Sequence, residues 1–234
     1  MEKYGIIGAM DSEVRELCDD LIGKEITEYA GLNFFTGLLC GKNVVIVKSG
    51  IGKVNAAMCA QALILKFGVT KVINTGIAGA LAKGLGVFDF VISTSAVYHD
   101  FDTTAFGYKI GQVPGMPEQF IADEKLSDLA LFAFEKTEFA KNHKAIKGIV
   151  ASGDKFVSDS ETRKSIQSNF NAVCVEMEGC AIAHACYLNK IPFVIVRCMS
   201  DMADESVEQT YSFNEDICAD ACACFVKKII ELVE

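Results

Sequence analysis

The chain is poor in three residue types, and each shortage removes a class of function. It has three histidines, and no two of its ten cysteines stand at C-x-x-C spacing. No zinc-finger or redox motif can be written on those residues, so the expectation is no metal and no cofactor. Cys218, Cys222 and Cys224 come nearest to a ligand set, and their spacing along an apolar helical stretch reads as packing. Arginine occurs three times, at 15, 163 and 197, and the net charge of -9 comes with no basic tract. Such a surface cannot neutralise a run of phosphates, which excludes broad nucleic-acid or membrane binding but leaves room for a small ligand. Proline also occurs three times, against nineteen glycines, a balance that fits many short turns and excludes a proline-rich linker. No apolar run reaches the ~18–20 residues that span a bilayer. The N-terminus leads straight into Tyr4-Gly5-Ile6-Ile7-Gly8 without a secretory pattern. Cysteines set inside apolar runs need no oxidising compartment, so a cytoplasmic protein is expected.

What is present is hydrophobic bulk. At 234 residues and 51% apolar content, the chain can bury a full core as one domain, 1–234. Residues 3–9 read as a strand and 11–21 as a helix. Residues 36–39 and 43–48 form a hairpin about Cys40-Gly41, followed by a helix over 54–67 and a strand over 71–74. A long strand over 88–98 precedes a Gly- and Pro-rich loop at 100–120. Then come a helix over 122–141, a strand over 145–152, a helix over 160–169, apolar strands at 173–175 and 191–196, and a last helix over 212–232. Strands that alternate with helices, several of them continuously apolar, predict an α/β fold. The expected form is a three-layer α-β-α sandwich around a mixed, twisted central sheet.

The glycines do not spell a nucleotide fingerprint. Gly5-Ile6-Ile7-Gly8 lacks the third glycine of G-x-G-x-x-G, and Gly52-Lys53 is followed by Val54 where a phosphate loop needs Ser or Thr. Gly50, Gly52, Gly76 and Gly79 stand at element junctions, where glycine lets backbone approach a ligand or simply turn tightly.

Charged residues mark the ends of the apolar runs, and in an open α/β sheet ligands bind beyond the carboxyl ends of the strands. Glu13 lies in the first helical turn after the first strand, a place that the helix dipole alone favours. Glu176 and Glu178 flank a strand-to-helix junction, which either aligns or splays them. Arg197, Ser200 and Asp201 close the next run, where helix capping would equally account for the last two. Separated carboxylates beside an arginine, with no metal motif and no obvious nucleophile, are compatible with glycosidic cleavage. One acid protonates the leaving group, another carboxylate positions water, and a third accepts both hydrogens of a sugar diol. The same set fits other hydrolases and a sugar-binding module.

V-E-M-E at 175–178, S-D at 200–201, N-T-G-I-A-G at 74–79, H-D-F-D-T-T-A-F-G-Y at 99–108 and G-A-M-D-S-E at 8–13 name a family. They closely resemble the motifs of 5'-methylthioadenosine/S-adenosylhomocysteine nucleosidases, a branch of the nucleoside phosphorylase superfamily, and the match runs over essentially the whole chain. The resemblance implies a nucleoside phosphorylase-like fold. It also implies irreversible hydrolysis of the N-glycosidic bond of 5'-methylthioadenosine, S-adenosylhomocysteine and 5'-deoxyadenosine, releasing adenine and the corresponding ribose. By the same resemblance, Asp201 is the general acid at adenine N7, supported by Ser200. Glu13 holds the attacking water with Arg197 nearby, and Glu178 binds the ribose hydroxyls with Met177 packed on the sugar. Phe156 stacks on adenine, and the backbone of Val157 reads its Watson–Crick edge. Ala9, Met10, Ile51, Ile77, Glu176 and Phe213 complete the lining. A homodimer is implied as well, in which Thr103, Phe106 and Pro114 of the partner subunit close the 5' pocket. Independently, Phe101, Phe106, Tyr108, Met116 and Phe120 are costly to leave in water, and a partner or the chain itself would cover them.

Two departures from the family pattern bear on substrate preference. Ile77 stands where the family often has serine, and the 207–210 segment is slightly longer, so that Tyr211 competes with Phe213 for one place. Among rival activities, phosphorolysis needs an anion site, usually with several arginines, and Glu13 would repel phosphate. A 5'-phosphate would likewise meet the apolar Met10, Ile51 and Phe213. A futalosine-type nucleosidase and a non-enzymatic adenosine-binding module also compete. The binding module has no use for an acid at 201.

Overall fold

A computed structural model describes residues 2–204 and 207–233, with backbone alone for 207–213. The strands are β1 (Tyr4–Gly8), β2 (Ile22–Tyr29), β3 (Leu32–Leu39), β4 (Lys42–Lys48), β5 (Lys71–Ala80), β6 (Phe90–Tyr98), β7 (Phe120–Ile121), β8 (Ala145–Ser152), β9 (Ala172–Glu176) and β10 (Phe193–Asp201). The helices are α1 (Asp11–Asp19), α2 (Lys53–Phe67), α3 (Glu124–Glu135), α4 (Ser160–Phe170), α5 (Gly179–Asn189) and α6 (Val207–Leu232).

Strands that are apolar on both faces need cover on both sides, and the helices supply it. Cys59, Leu63, Ile182 and Cys186 bring α2 and α5 onto one face. Leu17, Ala130, Phe225 and Ile229 bring α1, α3 and α6 onto the other. The sheet is mixed, as the sequence predicts. β1 runs parallel to β4 and β5, and β5 to β10, whereas β2–β3, β3–β4, β5–β9 and β6–β10 are antiparallel. β10 bonds to both β5 and β6, so β5, β10, β6, β8 and β9 close on themselves while β1, β4, β3 and β2 extend outward.

Three elements differ from the sequence expectation, each for a local reason. β2, I-G-K-E-I-T-E-Y, is exposed along almost its whole length at the sheet edge. An edge strand that buries neither face carries no alternation to detect. The 122–141 helix ends at Glu135, where Thr137 Oγ1 donates to the Phe134 carbonyl (2.7 Å), and a separate 3-10 turn follows. β5 runs on through Thr75-Gly76-Ile77-Ala78-Gly79, past its expected end at 74, because β10 pairs with it residue by residue as far as Ala78 and, after a shift of register at Ser200, again at Gly79. That extension carries β5 and β10 together into the site.

Candidate active site

The register between β5 and β10 sets the frame: Arg197 lies opposite Gly76, and Asp201 opposite Gly79. Both glycines vacate space for a neighbour's side chain. A Cβ on Gly76 would stand 2.1 Å from Arg197 Nη1 and 2.3 Å from Glu13 Oε1, and one on Gly79 would stand 3.0 Å from Asp201 Oδ1. The two ends of the site are thus three residues apart along β5, roughly 10 Å at about 3.3 Å per residue.

Arg197 is fully buried. Its Nη1 donates to the Thr75 carbonyl (3.0 Å), and its Nη2 donates to Asn74 Oδ1 (2.7 Å) and to Glu176. Glu178 Oε2 lies 4.0 Å from the same Nη2. Burial opposes the charge, but Glu176, Glu13 and Glu178 outweigh it and hold the guanidinium firmly protonated. One cation does not satisfy three carboxylates, and the acids carry the difference.

Glu13, in the first turn of α1, is buried. Its Oε2 accepts from the amides of Ala9 (2.6 Å) and Met10 (3.0 Å), and its Oε1 from the amide of Ile77 (3.0 Å). Burial raises its pKa against the pull of Arg197 and those three amides. A carboxylate has about four acceptor sites, so one is left for a further donor such as water.

The junction between β9 and α5 splays Glu176 and Glu178. Glu176 turns back: it accepts from Ser152 Oγ and from the amides of Glu178 (3.1 Å) and Gly179 (2.8 Å), besides Arg197. That fully engaged carboxylate caps α5 and fixes Arg197. Glu178 turns across the cleft, where Oε1 accepts from the amide of Gly52 (2.8 Å). Burial first, then Glu176, pushes its pKa up to about 7, against Arg197 and the Gly52 amide.

At the far end, Asp201 Oδ2 accepts from Ser200 Oγ (2.7 Å) and Oδ1 from the amide of Ala203 (2.8 Å). Burial raises its pKa, and Asp204 adds to the rise, while the two hydrogen bonds restrain it. Asn214 Nδ2 donates to the Ser200 carbonyl (3.0 Å) and ties α6 to this corner.

These groups open onto one cleft of about 620 Å³, its mouth included. Ala9, Met10, Glu13, Ile51, Ile77, Phe156, Val157, Glu176, Met177, Glu178, Ser200 and Asp201 all line it. Arg197 stands behind that wall. Phe156, 47% exposed, sits at the mouth. The side chain of Phe213 lies outside the described residues. Thr103, Phe106 and Pro114 do not line the cleft of their own chain; Thr103 Oγ1 donates to the Gln112 carbonyl (3.0 Å), and Phe106 is 80% exposed.

A model of the phosphorylase superfamily matches residues 3–231. A 5'-methylthioadenosine/S-adenosylhomocysteine nucleosidase of Bacillus cereus (strain B4264) is 45% identical over 232 residues, 98% of each chain. The chain belongs to this nucleosidase family. The crystal structure of a 5'-methylthioadenosine/S-adenosylhomocysteine nucleosidase from Colwellia psychrerythraea 34H, in complex with adenine, superposes with a TM-score of 0.94 at 41% identity, covering 98% of this chain and 94% of that one. A futalosine hydrolase mutant of Helicobacter pylori strain 26695 superposes with the same TM-score at 30% identity, over 100% of both. The nucleoside phosphorylase fold expected from the motifs is therefore the fold of this chain.

Several residues of this candidate site receive no individual role in the sequence reading. Ala78, Gly79, Lys155 and Val175 line the cleft, and Asn74, Thr75, Ser152 and Gly52 hold the charged groups from behind. Asn74, Thr75, Ala78 and Gly79 stand inside N-T-G-I-A-G and Val175 inside V-E-M-E, and Gly52 stands at an element junction, so their segments carried a signal. Ser152 carried none, because its bond to Glu176 joins the ends of two strands 24 residues apart.

Proposed function

We propose that this chain is a hydrolase of the N-glycosidic bond of 5'-methylthioadenosine and S-adenosylhomocysteine, and also of 5'-deoxyadenosine. The products are adenine and the corresponding ribose, and the reaction works as a salvage step. The observation that carries the reading is a buried Asp201, its pKa raised by burial, at one end of the cleft with an amide-bound Glu13 at the other.

Adenine is a poor leaving group as an anion. Asp201, its pKa raised by burial and its carboxyl oriented by Ser200, donates to N7 so that the base departs neutral. Glu13 takes a water proton at its remaining acceptor site, with Arg197 balancing charge from behind. Glu178 accepts from the ribose 2'- and 3'-hydroxyls, a contact that strengthens as positive charge grows on the sugar. Met177 packs on the ribose, and Phe156 stacks on the purine, whose edge the Val157 backbone reads. Met10, Ile51 and Phe213 take the apolar 5' group. Ile77 removes a hydroxyl near the sugar, yet its backbone amide still serves Glu13.

Hydrolysis is favoured over phosphorolysis by charge. Among the described residues, Lys155 is the one cation lining the cleft, and its Nζ lies 2.8 Å from Asp159 Oδ2. The working form is a homodimer within one nucleosidase domain, 1–234, with Thr103, Phe106 and Pro114 of the partner subunit closing the 5' end. Exposed Ile51, Val54, Met58 and Phe106 supply the apolar surface for it. We assign it to the cytoplasm, where its ten unpaired cysteines meet a reducing medium.

Adenine release from 5'-methylthioadenosine in phosphate-free buffer tests the reaction, and a nucleoside panel that includes futalosine tests the substrate. Asp201→Asn is expected to cost about 10²–10⁴ in kcat while leaving adenine affinity measurable. Turnover should fall as pH rises through the raised pKa of Asp201, because the acid form is the active one. Strict phosphate dependence, or full turnover in the Asn variant, overturns the reading.

A further inference from the structure

Two loops bring opposite walls of the cleft together, and three charged side chains outside the cleft join them. β6 and β8 run parallel with Tyr98 opposite Ser152, so their ends emerge side by side and present Asp100 and Asp154 to the start of α2. Lys53 Nζ lies 2.7 Å from both oxygens of Asp100 and 3.4 Å from Asp154 Oδ2. The Lys53 amide donates to Asp154 Oδ1 (2.9 Å), and the Asp154 amide donates to Asp100 Oδ2 (2.8 Å). Lys53 also sits 5.5 Å from the centre of the Tyr98 ring, and burial of Asp100 is outweighed by Lys53 and the Asp154 amide, which hold it ionised.

The neighbours of these residues are the walls themselves. Gly52, at φ +97°, directs its amide to Glu178 while the next amide in sequence goes to Asp154. Asp154 leads directly into Lys155, Phe156 and Val157, which the proposed reading puts on the base side, and Ile51, beside Gly52, lines the same cleft toward the proposed sugar side. We infer that Lys53, Asp100 and Asp154 form a positioning unit that fixes the spacing between the sugar wall and the base wall and holds the Gly52 amide against Glu178. None of the three lines the cleft, so they act through Gly52 and Phe156 and touch no reacting atom. Lys53 and Asp100 are 21% and 25% exposed in their side chains, where an ion pair adds little to stability. Its value lies in placement.

The inference rests on the reading of Glu178 as the ribose holder. Glu178 faces Glu176 from β9, Arg197 from β10, Glu13 from α1 and the Gly52 amide at the start of α2. Of these, the amide is the contact that the unit controls. When its hold loosens, ionisation of Glu178 becomes harder, and the acid limb of kcat/KM moves to higher pH.

The test uses Lys53→Met, Asp100→Asn and the double variant, with 5'-methylthioadenosine as substrate and circular dichroism to verify the fold. Each single variant is expected to raise KM about tenfold, to lower kcat/KM by up to about 10²-fold, as a misplacement near 1 Å does, and to move the acid limb upward. The double variant should lose no more than the worse single one, because the residues act as a unit. Lys53→Arg should recover part of the loss. If a variant fails to fold, Asp154→Asn, which keeps the Lys53–Asp100 pair, is expected to give the same shift. Parent-like KM and acid limb in the folded variants, or additive losses in the double one, overturn the inference. Glu178→Gln separates the two readings. If it keeps the parent KM, the ribose assignment itself falls; if it loses binding while the Lys53 and Asp100 variants do not, the positioning unit alone falls.

Discussion

Replacing Gly76 by alanine inserts one methyl group where the site has no room for it. The added Cβ would stand 2.1 Å from Arg197 Nη1, 2.3 Å from Glu13 Oε1 and 2.8 Å from Glu13 Cδ. Favourable contacts lie near 3.5 Å, so each group must withdraw by about 1 Å. Neither moves freely, since Arg197 is pinned by Asn74, the Thr75 carbonyl and Glu176, and Glu13 by three backbone amides. Gly76 also has a φ of +152°, a conformation that costs a side-chain-bearing residue about 1–3 kcal/mol. Overpacking adds a similar amount, and at about 2–4 °C per kcal/mol the melting temperature should fall by roughly 4–24 °C. The kinetic effect should be larger than the stability effect suggests: displacement by about 1 Å of the carboxylate proposed to hold water predicts a loss of about 10²-fold in kcat. Adenine release and thermal melting, measured together, read both quantities. Gly86→Ala is the control, because its nearest neighbour, Asp89 Oδ2, is 3.9 Å from the new carbon. A Gly76→Ala enzyme with parental kcat and melting temperature would refute the claim that Glu13 and Arg197 converge on this backbone.

Two further outcomes are expected. The pKa of Glu178 is about 7 in the fold, above the unfolded value, so the folded state holds the extra proton between about pH 4.5 and 7 and loses stability as pH rises through that window. Above pH 7 the ionised group costs about 3 kcal/mol. Glu178→Gln should therefore melt higher than the parent at pH 8 and level with it near pH 4, while losing turnover; a lower melting point at pH 8 contradicts the burial cost. Phe106→Glu should convert a dimer to a monomer in light scattering and raise KM, because an exposed phenylalanine on the proposed interface becomes a buried charge. A parent protein that is already monomeric removes that proposal.

How much of this was legible in the sequence depends on whether a feature is local. The continuous apolar runs of β1, β4 and β10 announce strands covered on both faces, and the helix boundaries at Asp11 and Ser160 follow from local signals. β2 buries nothing and left no pattern. The closure of β5, β10, β6, β8 and β9 depends on β10 bonding two partners at once, which a one-dimensional pattern does not encode. The positions of the acids were legible for the same reason as the strands: a charge that interrupts an apolar run at its carboxyl end stands at the edge of a sheet.

Their division of labour was legible through the family resemblance and not through spacing. Glu176 and Glu178 are two residues apart, of the same type and both buried, and spacing gives no means of telling them apart. Their surroundings separate them. Glu176 meets a serine hydroxyl, two amides and the guanidinium, so every acceptor it has is in use. Glu178 meets one amide and a guanidinium at 4.0 Å, too little to offset the burial and the neighbouring Glu176 that raise its pKa, and its second oxygen is left to accept from a ligand. The same test sets Asp201, with one hydrogen bond to each oxygen and no cation among them, apart from a capping aspartate such as Asp159, which Lys155 and the Thr162 amide hold ionised well below its ordinary range. On the proposed reading, the carboxylate with every acceptor in use builds the site, and those with acceptor capacity to spare, Glu13 included, act in it.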